Sequence, residues 1–219
     1  MTVTADNPEN CPRCARPPAL CICDRVQPVD TRLRVVILQH PREDDALLGT
    51  ARLVTLTLPR AEVRVGLSWP SLAGALGDPR ADHQRWAVLA ATKVPEAALA
   101  AARRDQVALL DRHGALLDRR RHGLEGILVL DGTWSQAKTL WWRNPWLLKL
   151  PRLVLVPREA SMYGRLRREP RREWVSTLEA IADVLPALGE PEAARDSLRR
   201  LLRTLLQRAR DAQRGEAAV

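Results

Sequence analysis

The chain has 219 residues, 46% of them hydrophobic, enough to bury one substantial core plus a small appendage. No apolar run reaches the roughly 18–20 residues that span a bilayer, and the polar start argues against a secretory leader. A cytoplasmic protein with no membrane partner is expected. The net charge of +9 favours a polyanionic partner, because a cationic surface gains from counterion release.

Residues 1–10 are polar and are expected to be disordered. Residues 11–30 are rich in Cys and Pro, lack apolar periodicity, and need a staple to hold any shape. All four cysteines of the chain lie here, as Cys11-x2-Cys14-x6-Cys21-x-Cys23. Zinc takes four tetrahedral thiolates, and Cys-x-x-Cys is a standard half-site, so 11–30 reads as a four-cysteine zinc module. Disulfides are the competing reading, disfavoured in a reducing cytosol. Four thiolates leave no open position for water, which makes the metal structural.

Next comes the apolar run Leu33-Arg34-Val35-Val36-Ile37-Leu38, a strand bounded by Gln39-His40-Pro41. A helix is predicted over 47–58, closed before Pro59, then a strand over 62–67 and a buried run over 86–91. Residues 95–104 read as a helix. The charged stretch 107–123 reads as a hairpin or an insertion. A central strand over 127–130 precedes a helix over 135–142 that stops before Asn144-Pro145. A strand over 153–156, a basic loop over 157–173, a helix over 175–188 and an amphipathic Arg-rich helix over 190–212 follow. Residues 213–219 are expected to fray. Strands alternating with helices predict an α/β fold with a mainly parallel sheet.

Candidate chemistry gathers where strands end. Asp131-Gly132-Thr133-Trp134 follows the run Gly126-Ile127-Leu128-Val129-Leu130 directly. Open α/β sheets bind ligands just beyond the carboxyl ends of their strands, and here a carboxylate, a hydroxyl and an indole stand together. The residues alone fit two readings equally. Asp131 could be a base beside a stacking platform, or it could cap the next helix with Trp134 in the core. Ser176-x-x-Glu179 fits a capping box. Arg165, Arg167, Arg168, Arg171 and Arg172 make a dense basic loop, suited either to solvent or to phosphates. Trp141, Trp142 and Trp146 suit core positions, with one available to stack on RNA.

In this order, the four-cysteine N-terminus, LQHPRE (38–43), LDGTW (130–134), LPRLVLV (150–156), SMYG (161–164) and STLEA (176–180) resemble the DTW-domain family of tRNA-uridine aminocarboxypropyltransferases. The resemblance runs from Cys11 to about Leu188 and is thinnest over 69–125. It implies a SPOUT-like catalytic domain over 31–212 with a C-terminal trefoil knot that holds S-adenosylmethionine. It further implies transfer of the 3-amino-3-carboxypropyl group to N3 of a uridine in tRNA, by a chain expected to be a monomer. By that resemblance Asp131 is the base, Thr133 holds a uracil carbonyl or fixes Asp131, and Trp134 stacks on or walls the uracil. Leu130, Val156, Tyr163, Ser176 and Thr177 line the cofactor pocket. His40 and Arg42 join the basic loop in binding tRNA. The alternatives are an rRNA-directed aminocarboxypropyl- or methyltransferase, and a non-enzymatic zinc-containing RNA-binding protein.

Overall fold

A computed structural model describes residues 9–43, 48–89, 95–164 and 175–216. Seven strands form one sheet: β1 (Arg34–Gln39), β2 (Ala61–Val65), β3 (Trp86–Leu89), β4 (Val107–Leu110), β5 (Leu116–Leu117), β6 (Gly126–Asp131) and β7 (Arg152–Leu155). Their order is β2-β1-β6-β3-β7-β4-β5. The first five in that order run parallel, while β4 and β5 are antiparallel additions at one edge. The expected α/β class and mainly parallel sheet are borne out, and 107–123 contains the hairpin β4–β5.

The helices are α1 (Ala51–Thr57), α2 (Leu72–Leu76), α3 (Glu96–Asp105), α4 (Trp134–Arg143), α5 (Thr177–Ala187) and α6 (Glu192–Glu216). α2 was not read from the sequence, since five residues carrying Gly74 hold too little periodic signal. α1 begins at Ala51, later than predicted, and residue 47 of that helix and residues 90–91 of the buried run lie outside the described residues. α6 continues through Glu216, into the segment expected to fray.

Successive strand residues point to opposite faces, so buried strands need apolar side chains at every position. Val35, Ile37, Ile127 and Val129 pack under α1, α5 and α6 with Leu53, Val54, Ile181, Leu185, Leu198 and Leu202. Val36, Leu38, Leu128 and Trp86 face the other way, onto Leu72, Leu76, Trp146, Leu147 and Leu150. α3 covers β4 and β7 through Ala98, Ala102, Ala108, Leu110 and Val154. Cys14, Leu20 and Ile22 belong to the first of these clusters, so the Cys-rich segment shares the sheet's core.

Two crossovers position the site. The chain leaves β1 for β2 on one side, then returns across β1 to β3, and β6 later fills the gap between β1 and β3. That reversal opens a crevice at the carboxyl ends of β1 and β6, where open α/β sheets take their ligands.

Gly126 starts β6 where nothing larger fits. A Cβ there would lie 2.6 Å from the Trp86 ring and 2.7 Å from the Arg34 carbonyl oxygen. Gly126→Ala is expected to lower the unfolding free energy by about 1–3 kcal/mol, read from urea denaturation at constant m-value.

Candidate active site and metal cluster

β6 ends at Asp131, paired in register with Gln39 at the end of β1. The Asp131 carboxylate is 8% exposed. Gln39 Nε2 donates to its Oδ2 at 2.7 Å, and Thr177 Oγ1 donates to its Oδ1 at 2.5 Å. Thr177 is the first residue of α5, so the positive end of that helix also faces the carboxylate. A carboxylate offers about four lone-pair directions. Among the described residues two are used, which leaves Asp131 able to accept a further hydrogen bond.

The helix cap is Thr133, not Asp131. Thr133 Oγ1 accepts from Gln136 N at 3.4 Å, and Gln136 Oε1 accepts from Thr133 N at 2.6 Å, a complete capping box. The chain carries that pattern visibly, as Thr-x-x-Gln. The alternative reading, Asp131 as cap and Trp134 as core, is therefore overturned on both counts, because Trp134 is 50% exposed. Gly132 adopts φ +147°, and a Cβ there would lie 2.9 Å from Gln136 Cβ. Glycine lets the strand turn abruptly into α4 with its carboxylate left behind at the edge.

The loop after β1 is pinned to the same motif. His40 N donates to the Asp131 carbonyl at 3.0 Å, and Gln136 Nε2 donates to the Arg42 carbonyl at 3.1 Å. His40 Nδ1 accepts from Arg42 N at 3.1 Å, while the Arg42 side chain is exposed. Leu130 and Val156 are partly buried apolar residues at the same carboxyl edge. Val156 follows β7 one residue past the level of Asp131, by the register through Leu89.

Tyr163 and Ser176 act differently from the pocket lining expected of them. Tyr163 is fully buried, its hydroxyl donating to the Leu48 carbonyl at 2.6 Å. Ser176 caps α5 and donates to Glu179 Oε2 at 2.7 Å. Glu179, also buried, accepts in addition from Ser176 N, Ser161 Oγ and Met162 N at 2.7–2.9 Å. One carboxylate thus ties the 161–163 turn to the start of α5. Arg165, Arg167, Arg168, Arg171 and Arg172 lie outside the described residues.

Gln39 and Glu179 are the supporting residues to which sequence reasoning gave no role at the site. Gln39 carried a signal: it stands in phase with Val35 and Ile37, so its amide points toward a buried face at a strand end.

The four cysteines converge as their spacing predicts. Their sulfur atoms all lie within 4.8 Å of one another, with Cys11–Cys23 at 3.6 Å and Cys14–Cys21 at 3.8 Å. A disulfide needs about 2.05 Å, whereas thiolates on a tetrahedral zinc at about 2.3 Å stand about 3.8 Å apart. The residues fit the metal. Backbone N–H groups of Cys14 and Arg13 pull the Cys11 thiol down to about 6, whereas burial and the neighbouring thiols push Cys23 up to about 12.

Buried Arg16 links this cluster to the site. Its guanidinium donates to the Cys14 carbonyl at 3.1 Å and to the Gly49 carbonyl at 2.6 Å. Flanking Gly49, Leu48 receives the Tyr163 hydroxyl and Thr50 receives Leu178 N of α5. Arg208 of α6 grips Asp24 with two bonds, and Arg52 of α1 holds the Pro12 and Arg13 carbonyls.

A family model for the DTW domain matches residues 8–210. The chain belongs to the DTW domain family. It is 29% identical over 213 residues to tRNA-uridine aminocarboxypropyltransferase 2 of Mus musculus, covering 92% of this chain and 63% of the mouse protein. It is 31% identical over 211 residues to the Drosophila melanogaster protein of that name, covering 93% of this chain and 77% of the relative. The protein of that name from Macaca fascicularis is 27% identical over 197 residues, covering 89% of this chain and 61% of the relative. The chain thus spans somewhat under two thirds of the mouse and macaque proteins. No solved structure matches. Among the described residues, no helix is long and apolar enough to cross a membrane.

Because Glu179 serves four donors at once, Glu179→Ala is expected to cost at least about 3 kcal/mol in chemical denaturation. The exposed control Glu192→Ala should stay within about 0.5 kcal/mol of the parent.

Proposed function

We propose that the chain transfers the 3-amino-3-carboxypropyl group of S-adenosylmethionine to N3 of a uridine in tRNA. The observation that carries this reading is the Asp131 carboxylate, held on both oxygens at a strand end beside a half-exposed indole. The family membership and the names of the relatives support it.

Uridine N3 carries a proton and is a poor nucleophile until it loses it. Asp131 accepts that proton as N3 forms its bond to carbon, which is general base catalysis by a positioned group. Gln39 and Thr177 hold the carboxylate so that its remaining lone pairs face outward. Trp134 offers a ring face to the uracil, and Thr133 can donate its hydroxyl proton to a uracil carbonyl while its oxygen caps α4. When bound, S-adenosylmethionine supplies a carbon made electrophilic by the adjoining sulfonium, and the carbon–sulfur electron pair leaves with sulfur as a neutral thioether.

The donor set fits that group. Leu130 and Val156 give an apolar wall at the carboxyl edge. Thr177 contributes by position, while buried Tyr163 and capping Ser176 shape the backbone rather than present side chains. A SPOUT-like knot is part of the proposal. The path after β7 supports it, returning past β3 to set Thr177 on β6 and Tyr163 against the loop after β1. The four cysteines would hold a structural zinc, and reduced thiols together with a tRNA substrate suit the cytoplasm.

Incubation with unmodified tRNA and S-adenosylmethionine labelled in the aminocarboxypropyl chain should give a labelled uridine, weighed after nucleoside digestion. Asp131→Asn should lower kcat by about 10²- to 10⁴-fold while cofactor binding stays within a few-fold. A methylated product, or full activity without the carboxylate, would count against the assignment.

One zinc per chain is expected by elemental analysis. Its removal, or Cys14→Ser, should lower the melting temperature by more than about 5 °C. Metal-free protein of unchanged stability would sink the zinc claim.

A further inference from the structure

Only two tryptophans among the described residues are exposed, and both lie on α4: Trp134 at 50% and Trp142 at 72%. With exposed Lys138 they occupy positions i, i+4 and i+8, which form one ridge along a helix. Leu140, on the opposite side, is fully buried, and Trp141, beside the ridge, is partly buried against the core. Large apolar side chains exposed together on one ridge mark a contact surface. The ridge starts three residues after Asp131.

Its charge identifies the partner. Between Asp131 and Glu159 the chain carries Lys138, Arg143, Lys149, Arg152 and Arg158 and no carboxylate. The segment docked on the end of α4, where Ser68 Oγ donates to the Arg143 carbonyl and Asn144 donates to the Leu67 carbonyl, is also free of acids from 63 to 77. Two of the chain's three lysines stand here, at 138 and 149, both exposed. Aromatic faces alternating with cations suit unpaired nucleotides, whose bases stack while their phosphates meet the charges.

We propose that the Trp134–Lys138–Trp142 ridge is a track for the single-stranded nucleotides beside the target uridine. This rests on the RNA-modifying reading above and extends it to a substrate-binding surface. Eight residues of α-helix rise about 12 Å, or about three to four stacked nucleotides at about 3.4 Å each. Trp142 therefore meets a base within about four positions of the one at Trp134. Lys138 lies between them and meets the intervening phosphates.

The test measures binding of unmodified tRNA at two salt concentrations, binding of S-adenosylmethionine, and transfer kinetics in the full chain. Trp142→Ala and the apolar control Trp142→Leu should both weaken tRNA binding about tenfold and raise KM for tRNA. Both should leave kcat within about twofold of the parent and cofactor affinity unchanged. Lys138→Ala with Lys149→Ala should flatten the salt dependence by about 1.4 units of slope. Trp142→Leu binding tRNA as tightly as the parent would overturn the proposal, as would Trp142→Ala dissolving a homodimer while tRNA binding holds. The two readings fail separately. A parent that binds tRNA through Trp142 but transfers nothing contradicts the enzyme assignment alone, and Trp142 variants with the parent's tRNA affinity and KM contradict the ridge alone.

Discussion

Three distant segments meet on the Asp131 carboxylate. Gln39 lies 92 residues before it and Thr177 lies 46 residues after it, and each donates to a different oxygen. A carboxylate taken out of water needs such donors, and the requirement constrains the fold around it. β6 must enter between β1 and β3 so that Asp131 pairs with Gln39. The chain leaving β7 must come back over β3 so that α5 begins at Asp131. Gly132 must be a glycine for α4 to start at once without burying the carboxylate beneath it. The result is a carboxylate held on both oxygens at the carboxyl edge of the sheet, where open α/β sheets take their ligands.

Around that carboxylate the site is braced by polar groups buried elsewhere. Glu179 gathers the 161–163 turn onto α5, and Tyr163 fastens that turn to the loop after β1. Arg16 fastens the same loop to the cysteine cluster. Each is a long side chain, nearly excluded from solvent, whose donors or acceptors are met by backbone groups of irregular segments. Irregular chain cannot satisfy its own peptide groups as helices and strands do. Side chains that reach across are what give a loop-built site fixed geometry. The cysteine segment is thus more than an appendage: its Ile22 and Leu20 share the main core, and its arginine reaches toward the active edge.

Much of this was legible in the chain. Unbroken apolar runs such as 127–130 mark strands buried on both faces, and the Ser176-x-x-Glu179 pattern marks the start of α5, because both signals are local. The cysteine spacing pointed to convergence, and the sulfur positions agree. Three features were less visible, each for a physical reason. Asp131 was weighed as a cap for α4 although Thr133-x-x-Gln136 carries the stronger signature; two candidate caps two residues apart differ only in where the strand stops. The part played by Gln39 depends on a contact 92 residues away that no local pattern encodes. Tyr163 was expected to line a pocket from the resemblance carried by SMYG, yet its side chain is fully buried and its hydroxyl meets a carbonyl. A shared motif marks a segment but not the direction in which each side chain points.

The central claim is that Asp131 receives the N3 proton of a uridine whose nitrogen faces the aminocarboxypropyl carbon. A structure of the full chain with unmodified tRNA and a non-reacting sulfonium analogue measures this directly. The target uracil is expected with N3 within about 2.6–3.2 Å of an Asp131 carboxylate oxygen, the aminocarboxypropyl arm lying on the other side of N3. A uracil bound away from Asp131, or one whose N3 faces the methyl group of the analogue instead, would contradict it.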